Sequence, residues 1–207
     1  MTLASRTDPL RGRHVELVPL TGDLVPDLTA AAAVERSTYG FTEVPDGAAA
    51  MGDYVEWLIG QRDRNEAVPF AQRLRASGRV VGCTRFMELR WWRGRAVPDE
   101  VEIGGTWLAA DVQRTAVNTE AKLLLLTHAF EQWNVDRVAL ATDERNERSR
   151  QAIGRLGATF EGILRNHRPS KVPGEVGRAR NTALFSITAA EWPTVRGALN
   201  DRLERSG

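Results

Sequence analysis

Residues 101–157 read VEIGGTWLAADVQRTAVNTEAKLLLLTHAFEQWNVDRVALATDERNERSRQAIGRLG. The clearest signal in this stretch is helical. From Asn118 to Trp133, the residues Leu126, Ala129, Phe130 and Trp133 recur at i, i+3, i+4 and i+7, which puts them on one face of a helix. VEIGGTWLA (101–109) before it and VDRVALATD (135–143) after it have strand composition, and NERSRQAIGRLG (146–157) opens on a capping asparagine and closes on glycine as a second helix. Strands alternating with helices predict an α/β domain.

The flanks fit that prediction. HVELVPL (14–20) alternates like a half-buried strand, and Thr21 stands as a cap before alanine-rich helical sequence. Met51, Tyr54, Val55 and Leu58 share one side of a second helix. The strand-like segments 68–75 and 79–89 are separated by Ala-Ser-Gly, a hairpin break. ATFEGILR (158–165) and TALFSIT (182–188) supply two further strands, and Thr188 with Glu191 forms a capping box for a last helix over 189–205. There is no repeat, low-complexity tract or linker, so residues 1–207 read as one domain, a size that buries a sizeable core.

Composition narrows the function classes. Apolar residues make up 42% and charged residues 27%, and no apolar run approaches the roughly 20 residues of a membrane span. The amino terminus lacks the pattern of a secretory leader, which predicts a cytoplasmic protein. All but two of the 28 basic residues are arginine, the exceptions being Lys122 and Lys171; they are interspersed with 27 acidic residues, which argues against a nucleic-acid partner. Cys83, the single cysteine, reads as a buried strand residue. His14, His128 and His167 lack metal-ligand spacing, so no metal is expected.

A strand that ends where a helix begins is a ready anion site, because unpaired N–H groups and the helix dipole both favour negative charge there. In AADVQRTAVNTEAK (109–122), Gln113, Arg114 and Thr115 add polar donors, and small Ala116 permits close approach to a phosphate. A polar loop of this kind also serves simply to cap a helix.

With its neighbours, this loop resembles the GNAT N-acyltransferase superfamily, whose pyrophosphate loop follows Q/R-x-x-G-x-G/A; here it stands as Gln113, Arg114, Thr115, Ala116, Val117 and Asn118, followed by Thr119. Ala116 and Asn118 replace the small family residues, a change that helical backbone tolerates and left-handed backbone does not. NTEAK, N-x-x-S-x-x-A-I-x-x-L-G from Asn146, and the late strands resemble the RimJ/RimL-like branch, the ribosomal-protein-alanine acetyltransferases, over almost the whole chain. The resemblance implies a mixed, mostly antiparallel sheet splayed to hold acyl-CoA, with helices on both faces. It further implies acetyl-CoA as donor, pantetheine pairing at Trp107, Leu108 and Ala109, and a contact from Asn146. The acceptor it implies is a primary amine, on a small molecule or a protein N-terminus, and the assembly a homodimer.

Acyl transfer to an amine needs a deprotonated amine, a stabilised oxyanion and a protonated leaving thiolate. The family often gives the last task to a tyrosine seven residues after the opening asparagine, a position held here by Ile153. Ser149 lies three residues after Asn146 and four before Ile153, on the same face, and the RimL-like branch assigns the task to a serine there. Ser149 is therefore the candidate acid, with helix capping as the alternative role. Glu161 and Glu102 are the candidate bases, each also explicable as a surface strand residue. Freeing a lysine amine at pH 7 costs roughly 4.6 kcal/mol and an α-amine about 1.4, so a weak base suffices for the latter.

Gly104-Gly105 suggests a bulge that opens the strand, or a flexible turn. Trp91, Trp92, Tyr39 and Phe41 sit in loops, where pocket lining, subunit contact and ordinary packing all remain open. A succinyl donor is the second enzyme reading, with Arg85 or Arg168 receiving its carboxylate. A CoA-binding sensor without catalysis is the non-enzyme one.

Overall fold

The computed structural model describes residues 8–205; the span 1–207 and the reading of the amino terminus extend outside the described residues. One eight-stranded sheet runs in the order β1-β2-β3-β4-β5-β6-β8-β7. Its strands are β1 Leu10–Arg11, β2 Val15–Pro19, β3 Val68–Leu74, β4 Val80–Arg90, β5 Glu100–Leu108, β6 Arg137–Asp143, β7 Thr159–Pro169 and β8 Ala179–Thr188. Helices α1 Val25–Ala33, α2 Gly47–Asp63, α3 Ala116–Thr127, α4 Glu147–Gly154 and α5 Trp192–Glu204 cover its two faces.

Neighbouring strands are antiparallel except β5 and β6, which the α3 crossover makes parallel. That parallel pair is short. It joins Glu100, Val101 and Glu102 to Arg137, Val138 and Ala139; β5 then continues beside β4 and β6 beside β8. The sheet opens there into a wedge. On the other edge of β5, the β4 register slips between Cys83 and Arg85, so that β5 carries an extra residue at Gly104–Thr106. Gly105 takes a left-handed φ of 56°, so the glycine pair marks a bulge.

Helix α3 buries Val117, Ala121, Leu125 and Leu126 in a core shared with Phe70, Phe86 and Leu140. Each such aliphatic side chain contributes about 1.5–3 kcal/mol by leaving water. Glu120 of α3, although buried, is satisfied: its carboxylate accepts the N–H groups of Arg13, His14 and Val15, each at 2.7 Å, and fastens the start of β2 to the helix. Gly12 leaves room for it, since a Cβ there would strike the Glu120 carboxyl.

Several boundaries differ from the sequence expectations. Thr115 caps α3, accepting from Val117 N, so the helix starts at Ala116, two residues ahead of the expected Asn118. It then widens into a π-turn at His128–Gln132 that keeps Ala129, Phe130 and Trp133 in the core. Thr21 makes no side-chain cap and precedes a 3-10 turn, with α1 beginning four residues later. The β7–β8 pair is longer than the expected 158–165 and 182–188, and the short β1 has no counterpart among the expected strands. Only one half of the Thr188–Glu191 box forms: the Glu191 carboxylate accepts from the Thr188 N–H and hydroxyl, while the Glu191 N–H goes to the Thr188 carbonyl and Glu191 itself stands at the helix boundary.

Candidate active site

The phosphate loop lies at the open end of the wedge. Ala116 and Asn118 are in helical backbone, so their Cβ atoms bring no strain; the left-handed residue is Arg114, at φ 63°. A cleft of about 260 Å³ is lined by Arg114, Thr115, Ala116, Thr119, Arg202 and Leu203. Arg202 comes from α5, so two guanidinium groups and a helix N-terminus border one cleft. Val117 differs from its expected role: its side chain is in the core and its N–H is taken by Thr115.

Gln113 turns away from that cleft. Its Nε2 donates to the Leu108 carbonyl at 2.9 Å and to Thr38 Oγ1 at 3.1 Å. The buried Tyr39 hydroxyl donates to the same carbonyl at 3.2 Å, its ring edge-to-face with Trp107. Ala109 N donates to Val81 O, which turns Ala109 toward β4 and Leu108 toward the wedge. Trp107 O, one residue earlier, again faces inward and accepts from Gln72. Of the three backbone positions expected to meet pantetheine, only Leu108 turns its backbone to the wedge, and its carbonyl is already engaged by Gln113 and Tyr39. Arg148 of α4 reaches across to Thr38 O at 2.7 Å and Gln113 Oε1 at 3.4 Å, bridging the rim.

On the other side, Asn146 caps α4 with its Oδ1 on Ser149 N at 3.0 Å. The capping job therefore belongs to Asn146, and the half-buried Ser149 hydroxyl has no protein partner among the described residues. Ile153, below it, is packed in the core.

Neither candidate base is free. Glu102 is buried and held by Arg168 through two bonds of 2.8 Å, with Glu88 on the same guanidinium. Arg168 is thereby also committed, and cannot serve an incoming carboxylate. Glu161 is chelated by Arg137 and accepts from Ser186 Oγ at 2.6 Å; the Arg137 contact leads in holding its carboxyl below the usual range. Arg137 begins β6, at the closed end of the wedge. A low proton affinity and that location make Glu161 a poor base.

Three features were missed in the sequence. Tyr54 and Trp57 of α2 stand over Arg85 of β4, beside the bulge. Lys122 is 6% exposed and has no carboxylate partner among the described residues; it donates to Thr106 Oγ1 at 2.5 Å and Thr84 Oγ1 at 3.4 Å, and burial pulls its ammonium down to about 7. One of only two lysines, amid leucines on an apolar helix, was the available signal. Arg148 gave none. Trp91 and Trp92 are exposed on a loop gathered by Asp99, which takes the N–H groups of Trp92 and Arg93. Phe41 lies beneath Arg145, and His128 packs against Phe86 and Trp133.

The acetyltransferase (GNAT) domain profile matches residues 14–159. The chain belongs to the GNAT acetyltransferase family. A GCN5-related N-acetyltransferase from Brucella melitensis is 30% identical, with 94% of this chain and 85% of that one covered and a TM-score of 0.79. A protein from T. thermophilus is also 30% identical, covering 95% and 97% at a TM-score of 0.78. Mycobacterium smegmatis RimJ shares the fold at 20% identity, covering 91% and 88% at a TM-score of 0.75. Comparison with curated proteins finds no match. As a GNAT acetyltransferase, the protein is an acyl-CoA-dependent enzyme on an α/β domain.

Proposed function

We propose that this GNAT enzyme acts in the manner of the RimJ/RimL-like branch, moving the acetyl group of acetyl-CoA to a primary amine by direct attack in a ternary complex. The observation that carries this reading is the split between β5 and β6, bordered at its open end by the α3 phosphate loop and across it by Ser149. An extended thioester arm lies in such a split, its pyrophosphate on the helix N-terminus and the Arg114 guanidinium. The M. smegmatis RimJ structure holds CoA-disulfide, and that of the microcin C7 self-immunity protein MccE holds acetyl-CoA and AMP, which supports acetyl-CoA here.

Ser149 is the proton donor to the departing thiolate, its hydroxyl left available by the Asn146 cap. With Glu102 and Glu161 both engaged by arginine, the site suits an α-amine or another amine of low pKa, which loses its proton to water at modest cost. A cytoplasmic homodimer completes the reading; the exposed Phe160, Ile163 and Leu164 of edge strand β7 offer an apolar surface for it. The test is thiol release from acetyl-CoA across a panel of amines and N-terminal peptides. CoA binding without release on any amine refutes the proposal.

A further inference from the structure

Arg85 carries a charge that the protein does not neutralise. The residue is 9% exposed, and among the described residues no carboxylate lies within ion-pair reach of it. Its Nη1 donates to the Tyr54 hydroxyl at 3.3 Å, its Cζ sits 5.4 Å from the Trp57 ring centroid, and its Nε is buried with no hydrogen-bond partner. The Trp107 indole N–H is turned toward the Tyr54 hydroxyl, so the donors of the cluster converge on that one oxygen. Glu102, on the neighbouring strand, is already taken by Arg168.

The position is as telling as the lack of a partner. A Cβ on Gly105 would strike the Arg85 guanidinium, so the group abuts the bulge three residues past the last β5–β6 pair, where the wedge has opened. Gly105 itself is partly exposed there, and Trp57 is 48% exposed and forms a rim. A buried guanidinium is costly unless an anion pairs with it, and its planar fork matches a carboxylate bidentately. An aromatic wall beside it raises the strength of that pair by excluding water.

We propose that Arg85, with the Tyr54 hydroxyl and Trp57, is the binding site for a carboxylate on the small molecule being processed. This rests on the acyl-transfer reading and deepens it. The carboxylate belongs either to the amine acceptor, as in an amino acid, or to the acyl group, as in succinyl-CoA. Both place an anion next to the bulge.

Two measurements test this. In the first, thiol release per unprotonated amine is followed for acetyl-CoA with alanine against alaninamide, and for succinyl-CoA against acetyl-CoA with alaninamide, in wild type, Arg85→Gln and Arg85→Lys. A preference of tenfold or more in kcat/KM for the carboxylated member of one pair is expected in wild type. That ratio should fall to near one in Arg85→Gln and recover only in part in Arg85→Lys. The pair that shows the preference identifies the source. In the second, glutarate is titrated into the CoA-bound protein and read by calorimetry, a readout that needs no turnover. Glutarate binding lost in Arg85→Gln supports the site even if no amine is acylated. Turnover without preference in either pair, or a preference that survives Arg85→Gln, overturns it. So does the absence of glutarate binding to the folded wild type where no turnover occurs.

Discussion

Replacing Lys122 by methionine should stabilise the protein, by an amount that depends on pH in a calculable way. The unfolded chain keeps this ammonium protonated up to about 10.5, whereas burial lowers the folded value to about 7. Between those values the unfolded state binds more protons, so wild-type stability rises with pH at ~1.4 kcal/mol per pH unit. From pH 7 to above the unfolded value the sum is roughly 4 kcal/mol. Methionine fills the same volume, and Thr84 and Thr106 keep each other at 2.8 Å, so the substitution leaves no orphan. Cys83, pushed up to about 11 by burial, works in the opposite sense, because its thiol ionises first in the unfolded chain. It is common to both proteins and cancels in the difference. Urea unfolding at pH 7.0 and 9.5, read by tryptophan fluorescence, should show Lys122→Met more stable by about 2–4 kcal/mol at the lower pH. The gap should shrink by about 3 kcal/mol at the higher one. An unchanged gap, or a variant weaker at pH 7.0, would mean that the two threonines hold the charge and that the reasoning from burial fails.

Other substitutions separate binding, chemistry and anchoring. Ser149→Ala should lower kcat at least tenfold with CoA affinity by calorimetry little changed; unaltered turnover removes the serine from the mechanism. Arg114→Gly should move two observables in opposite directions. Urea stability should rise by ~1 kcal/mol as the left-handed strain is relieved, while CoA binding should weaken, with a shallower salt dependence than wild type. Glu120→Gln leaves a single acceptor oxygen and turns an NH2 donor toward backbone N–H groups that now meet a carboxylate oxygen, so it should cost about 2 kcal/mol by denaturant unfolding; a loss under about 0.5 would show that the β2 clasp contributes little.

What the sequence disclosed follows the reach of its signals. Periodicity is a local property, and it placed α3, β6, α4 and the hairpin of β3 and β4 to within a few residues. Caps are also local, but their geometry is not: Thr115 started α3 two residues early, and Asn146 took the capping bond that left Ser149 available. Ion pairing is not local. Glu102 and Arg168 are 66 residues apart, and Glu161 and Arg137 are 24 apart, so the engagement of both carboxylates could not be read from strand alternation. The same holds for Arg85, whose isolation is a statement about every acidic residue in the fold. The Gly104-Gly105 bulge was legible as one of two readings, and the register of β4 decided it.

Three residue pairs at the closed end of the wedge have a mechanical implication. They are the seam between a half-sheet of β1 to β5 and one of β6 to β8, each built from antiparallel neighbours. A short seam between two well-knit leaves gives a hinge, stiffened by the Glu102–Arg168 and Glu100–Arg137 pairs that cross it and by α3, which is tied to both leaves by chain connection and packs on the first through the Glu120 clasp. Ligand contacts spread along both leaves would act as a splint across that hinge. Amide exchange at Leu140–Asp143 and at Ile103–Leu108 should then report one shared opening motion rather than two.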